Sequence, residues 1–184
     1  MRHACSAADL IETKRLMLRK PRPSDHPALF AMWADPAVMA DLGPVKDDAM
    51  SAATLARHDA YRHEGLGFFT VERKADWAVI GFCGLKRGDP PHPIAGEVEA
   101  GWMIAQPFWR QGYASEAMRA VFDWGWESFA MPRIVAITAE QNLASQAMMI
   151  RLGMARLADG DFEHHAFAAG DPLRRIVTYS INRP

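Results

Sequence analysis

Cysteine is scarce in this chain: Cys5 and Cys83 are the only two in 184 residues. Two isolated thiols do not make the stapled framework of a small secreted domain, and they fit a reducing, cytoplasmic setting. Long apolar runs are absent as well. No stretch approaches the ~20 residues of a membrane-spanning helix, and the opening MRHACSAADLIETKR lacks the apolar centre of a secretory signal. Charge of either sign is almost cancelled, with 21 Lys plus Arg against 22 Asp plus Glu. That balance argues against broad nucleic-acid or membrane-surface binding but leaves room for one small anion pocket built from local donors. The phosphate-loop patterns GxxxxGK[ST] and GxGxxG do not occur, and neither do repeats or low-complexity tracts. Tyrosine is rare too, with three in all and none between Tyr113 and Tyr179.

Hydrophobic residues make up 49% and charged residues 23%, which places the chain among globular proteins. Its length predicts one domain over residues 1–184, with residues 1–10 a loosely ordered lead. Residues 14–20 (KRLMLRK) alternate like a half-buried strand. Ser24 reads as the N-cap of a helix carrying Leu29, Phe30 and Trp33. DPAVMADLGP is a turn-rich connection, and residues 47–63 form a second helix that closes at Gly65. GFFTVER and AVIGFCGL are strands joined at Lys74–Trp77 in a hairpin. VEAGWMIA is a fourth strand. Residues 113–129 form the longest helix, with Ala114, Ala117, Met118, Val121 and Gly125 on one face and Ser115, Glu116, Arg119 and Asp123 turned away. RIVAIT, the helix NLASQAMMIRLG and the strand PLRRIVTYSIN follow, with a further short strand near Met154–Leu157. This order predicts a mixed sheet with helices packed on it.

The join between the fourth strand and the long helix is PFWRQGYASEAM. A strand that enters a helix through a glycine leaves free backbone N–H groups at the positive end of the helix dipole, where phosphate binds. Gly112 allows close approach to the backbone, Ala114 keeps the next turn small, and Arg110 adds a charged fork. Taken alone, the same glycine also serves simply to ease a tight turn.

The stretch W-R-Q-G-Y-A, Trp109 to Ala114, resembles motif A of the GNAT acetyltransferase superfamily, Q/R-x-x-G-x-G/A, with Trp at its first position. That aromatic and YASEAM resemble the branch of the ribosomal-protein alanine N-acetyltransferases. IETKRLMLRKPRPSDHPALFAMWADPAVM, VIGFCGL, VEAGWMIAQPFW, NLASQAMMIRLGM, DFEHHAF and LRRIVTYSI resemble that branch in the same order, over roughly residues 11–182. The resemblance implies an α/β fold with a mixed, mostly antiparallel sheet, splayed central strands and flanking helices. It also implies transfer of an acetyl group from acetyl-coenzyme A to a primary amine, either a protein N-terminus or a small molecule.

On that resemblance, the pantetheine arm pairs with backbone at Trp102, Met103 and Ile104. The pyrophosphate rests on the N–H groups of Arg110, Gln111, Gly112, Tyr113, Ala114 and Ser115. A backbone N–H near Met103 or Ile104 polarises the thioester. Glu99 is the first candidate for the base, directly or through water, and Glu97 is the alternate. Both also read as ordinary solvated glutamates. Many family members use a tyrosine on the helix after the fifth strand; the position here falls near Met149, so Ser145 is the expected proton donor to the thiolate. Asn142 is expected on the cofactor arm, or only as a helix cap. Direct attack in a ternary complex is expected, with no metal and no nucleic-acid or membrane partner. A homodimer is the expected assembly. Adjacent His164 and His165 point to opposite faces if they lie in a strand, which disfavours a shared metal. Trp33, Met39 and residues 41–65 fall where the family forms its acceptor site. The alternative is an acyl-coenzyme A-binding module that regulates without catalysing.

Overall fold

The computed structural model describes residues 10–184. Cys5 and the expected loose lead lie outside them, except for Leu10. The expected strand over residues 14–20 is β2 (Leu16–Arg19), and a short strand that was not expected, β1 (Leu10–Glu12), precedes it and pairs with it antiparallel. Thr13 makes the turn between them, its hydroxyl accepting the Leu16 N–H at 2.9 Å.

The helix that follows has a different start from the expected Ser24 cap. A 3-10 turn at Pro23–Asp25 leads into α1 (His26–Ala34), and no side chain caps either N-terminus. Asp25 organises the turn. Its carboxylate takes the Arg22 N–H at 2.8 Å, two Arg19 nitrogens at 2.7 and 2.9 Å and the Thr70 hydroxyl at 3.0 Å. Burial works to raise this carboxyl, but Arg19, the Arg22 N–H and Thr70 together hold it below its ordinary range.

The expected connection after α1 contains a short helix, α2 (Pro36–Met39), capped by Asp35. Helix α3 (Asp48–Ala60) is capped by Asp47 through the Met50 N–H and ends through a 3-10 turn at Gly65. Strands β3 (Gly67–Arg73), β4 (Ala78–Arg87) and β5 (Val98–Ile104) then form an antiparallel meander. Helix α4 (Tyr113–Ser128), β6 (Arg133–Ala139), α5 (Leu143–Arg151), β7 (Ala155–Arg156), β8 (Phe162–Glu163) and β9 (Arg175–Asn182) complete the chain.

The sheet runs β1-β2-β3-β4-β5-β6-β9-β7, with β8 also on β9. Every pairing is antiparallel except β5 with β6, and that parallel pair holds only at Glu99 and Val135. The two strands therefore diverge beyond this point, as the splayed centre of the expected fold requires. Side chains of α4 and α5 pack on one face of the sheet with Phe69, Ile80 and Ile134. Those of α1, α2 and α3 pack on the other with Phe68, Phe82 and Met103. Among the described residues, no helix is long and apolar enough to cross a membrane.

Candidate active site

A cavity of about 580 Å³ lies against the far end of β5. Its wall is built from Trp102, Met103 and Ile104 of β5, the loop and first turn of α4, one face of α5, and the α2 turn from Ala37 to Leu42.

Strand alternation decides which β5 groups are free. Ala105 N–H bonds the Ile80 carbonyl and Gly88 N–H bonds the Glu97 carbonyl, so odd-numbered residues between them spend their main-chain groups on β4. The main-chain groups of Trp102 and Ile104 face the other, open edge. Met103 lines the cavity, but its N–H is committed to β4; of the two expected polarising donors, only Ile104 presents one.

The indole N–H of Trp109 donates to the Ile104 carbonyl at 2.6 Å and folds the loop against this edge. Arg110 and Gly112 both take left-handed backbone angles, with φ of 59° and 81°. For Gly112 this is free; for Arg110 it is a strained conformation of the kind found at ligand loops. No side chain caps α4 at Gly112, whereas α2, α3 and α5 are capped by Asp35, Asp47 and Asn142. The N–H groups of the first α4 turn, at Tyr113, Ala114 and Ser115, thus have no intrahelical acceptor and open onto the cavity.

Gln111 is not in the wall. Its side-chain amide donates to the Pro107 carbonyl at 3.0 Å, and its own carbonyl accepts from Arg15 at 3.0 Å. It braces the loop from within. Arg15 was not singled out in the sequence, because it is 96 residues from Gln111. Its guanidinium stacks over Tyr113 at 4.4 Å and pairs with Glu116 at 2.6 Å. Glu116 also accepts from the Thr13 hydroxyl at 2.6 Å. So Glu116, expected to face away, clamps α4 to the β1–β2 turn. Burial acts to raise its carboxyl, but Thr13 and Arg15 outweigh that and hold it low.

On α5, Asn142 and Ser145 both line the cavity. Asn142 caps the helix, its Oδ1 accepting the Ser145 N–H at 3.0 Å, which leaves its amide N–H groups for a ligand. The Ser145 hydroxyl bonds nothing among the described residues. Met149 is buried in the core and absent from the wall.

The two glutamates stand apart from the cavity. Glu99 is 7% exposed and its carboxylate meets Lys86 at 2.7 Å. The Phe68 ring covers Gly101, which lies between Glu99 and Met103 on the same strand face; a Cβ on Gly101 would come within 2.8 Å of it. Burial raises the Glu99 carboxyl and Lys86 opposes the shift. Glu97 pairs with Arg133. His164 and His165 follow β8 in a turn rather than lying in a strand, so both rings approach His92, at centroid distances of 4.5 and 6.5 Å.

An open strand edge beside an uncapped helix N-terminus can hold an extended, phosphate-bearing ligand, in a mixed α/β fold. The acetyltransferase (GNAT) domain family matches residues 15–155, and the chain belongs to that family. The Bacillus subtilis (strain 168) "Uncharacterized N-acetyltransferase YoaA" is 28% identical over 178 residues, covering 95% of this chain and 97% of that protein. The crystal structure of an acetyltransferase from Agrobacterium tumefaciens str. C58 shares the fold at a TM-score of 0.76 and 26% identity, covering 95% of each chain. RimL, a ribosomal L7/L12 alpha-N-protein acetyltransferase in complex with coenzyme A, superposes at a TM-score of 0.76 with 17% identity. That alignment covers 94% of this chain and 97% of RimL.

Proposed function

We propose that the protein transfers an acetyl group from acetyl-coenzyme A to a primary amine by direct attack within a ternary complex. One observation carries this reading: a single cavity joins the open β5 edge at Trp102 and Ile104 to the uncapped first turn of α4. An extended amide-bearing arm pairs with such an edge, and a pyrophosphate seats on such a helix start. Arg110, Gly112, Tyr113, Ala114 and Ser115 hold the pyrophosphate in this reading. Arg15 and Gln111 brace the loop, and Asn142 bonds the arm through its amide N–H.

The amine lone pair attacks the thioester carbonyl carbon, and the Ile104 N–H stabilises the developing oxyanion. Such a donor is worth roughly 3 kcal/mol. Collapse breaks the carbon–sulfur bond. The Ser145 hydroxyl donates a hydrogen bond to the leaving thiolate, which is then protonated from solvent. The amine proton passes to water. Glu99 accepts it only through water, because it is not in the cavity wall and its carboxylate is paired with Lys86.

Fold neighbours that act on ribosomal proteins motivate peptide N-termini as acceptors. These are RimL and a Vibrio fischeri ribosomal-protein-S5-alanine acetyltransferase, at 17% and 16% identity. Incubation with acetyl-coenzyme A and a panel of peptides and small amines, read by free thiol, tests the proposal. Thiol release above the hydrolysis rate is expected, and its absence across the panel refutes transfer. A second reading, a non-catalytic acyl-coenzyme A-binding module, is favoured by the absence of Glu99 and Glu97 from the wall. Tight cofactor binding with no thiol release is its signature.

A further inference from the structure

Asp41 is the one carboxylate among the described residues lining the cavity. It lies in the turn after α2, beside Val38 and Leu42 in the wall. Its Oδ1 accepts from the Gln141 side-chain amide at 2.9 Å, a contact across 100 residues of chain. Gln141 directly precedes Asn142, the cap of α5, so Asp41 is held at the start of that helix.

Arg151 lines the cavity from the last residue of α5. At 1.5 Å of rise per residue, α5 separates the two ends by ~14 Å. Arg119 of α4 donates to the Arg151 carbonyl at 2.8 Å, so the far end of α5 is the end fastened to the helix of the phosphate loop. Along the wall between them, Asn142, Ser145, Met148 and Arg151 recur every third residue. The cavity is therefore electrically polar, with arginines toward the phosphate loop and one anion at the opposite end of α5.

Asp41 also differs from the other acids near β5. Glu99 is neutralised by Lys86 and Glu97 by Arg133, whereas Asp41 has only the neutral Gln141 and forms no ion pair among the described residues. Its Oδ2 is left for a cation that the protein does not supply.

We propose that Asp41, held in place by Gln141, captures the acceptor amine in its ammonium form, and that the nitrogen gives a proton to water before its lone pair attacks the thioester. The acceptor class that fits is an amine with apolar substituents and no carboxylate beside the nitrogen, such as an alkylamine, an amino-acid amide or a peptide N-terminus. Free amino acids place their own carboxylate against Asp41 and are rejected. This inference rests on the acetyltransferase reading above.

The test is a steady-state comparison of wild type and D41N with leucine amide, free leucine and n-butylamine. D41N removes the charge but keeps an oxygen that accepts from Gln141. For wild type, the leucine amide KM lies about tenfold or more below that of leucine. In D41N the KM for leucine amide and n-butylamine rises about tenfold, the preference disappears, and the acetyl-coenzyme A KM is unchanged. An unchanged amine KM, or an equal rise for acetyl-coenzyme A, overturns the proposal. If no amine releases thiol, NMR titration of leucine amide into the coenzyme A-loaded protein decides instead. Saturable binding by wild type that D41N loses supports the assignment, and no binding by wild type overturns it. A melting-temperature rise with acetyl-coenzyme A in both proteins reports on the cofactor site separately.

Discussion

The ring nitrogen of Trp109 donates a 2.6 Å hydrogen bond to the carbonyl of Ile104. This contact ties the loop before α4 to the open edge of β5, although Trp109 itself is 42% exposed. Replacing Trp109 with Phe keeps the ring and removes the donor. Such a bond contributes about 1 kcal/mol, so W109F raises the acetyl-coenzyme A KM about fivefold with little change in melting temperature. Kinetics at saturating amine, paired with a thermal melt, check it.

Gly112 begins α4 at φ 81°, and a Cβ there would meet only the Arg15 guanidinium, at 3.5 Å. The space is tolerable; the backbone angle is not. Gly112→Ala therefore costs about 1 kcal/mol through the left-handed conformation. It also weakens acetyl-coenzyme A binding by moving the first-turn N–H groups. Melting with and without the cofactor separates the two effects, and an undiminished cofactor-induced shift refutes the loop's role.

Lys86 and Glu99 face each other directly across the β4–β5 ladder, and Lys86 also reaches Asp89 at 2.9 Å. Lys86→Met strands a buried carboxylate, a change that typically costs about 3 kcal/mol or more. The double variant K86M/E99Q recovers much of that loss. Glu99→Gln alone lowers kcat and abolishes the acidic limb of its pH profile if the water-linked route to Glu99 operates. An unchanged profile makes Glu99 a structural charge. Chemical denaturation and pH–rate curves read these outcomes.

His58 packs edge-on against Phe68 and Phe82, with its Nδ1 against the Thr54 carbonyl at 2.7 Å. Burial pushes it down to about 4 from an ordinary 6.5, despite the helix carbonyl. Its folded form is thus neutral where the unfolded chain is already protonated. This group has no effect on stability above pH ~6.5, and stability falls as pH drops from there toward 4. The full loss is on the order of 3 kcal/mol. Denaturant midpoints from pH 7.5 to 4.5 should show the decline, and His58→Leu should flatten it.

Ser145 presents a hydroxyl to the cavity that makes no other bond among the described residues. Ser145→Ala is expected to lower kcat about tenfold or more while leaving the acetyl-coenzyme A KM near wild type. A substrate whose thiol leaves more readily narrows the gap. An equal loss for both thioesters counts against a role at the leaving group.

Much of this was legible in the residues. The stripe Ala114, Ala117, Met118, Val121 and Gly125 predicted the inward face of α4; the last four are buried, and Ala114 is half-buried at the cavity wall. Lys74–Trp77 marked the β3–β4 hairpin, and the order of strands and helices anticipated the sheet. The glycine-led start of α4 could be read because one short segment carries both the strand end and the helix start. Two local features escaped the sequence reading. Ser24 lost the helix start to Asp25, and β1 was missed because it is three residues long and set off by the Thr13 turn; in both places a polar side chain fixed the backbone where periodicity is too short to read.

By itself the sequence determined what short-range chemistry encodes: helix stripes, strand alternation, the glycine at the α4 start and the family motifs along the chain. The tertiary structure alone decided which charges meet. It paired Glu99 with Lys86, set Arg15 beneath the loop 96 residues away, and left Asp41 with Gln141 and no cation among the described residues. Periodicity reports the face on which a side chain sits. Sheet register and helix packing determine what stands opposite it, and therefore which carboxylate is already neutralised and which can still bind a substrate.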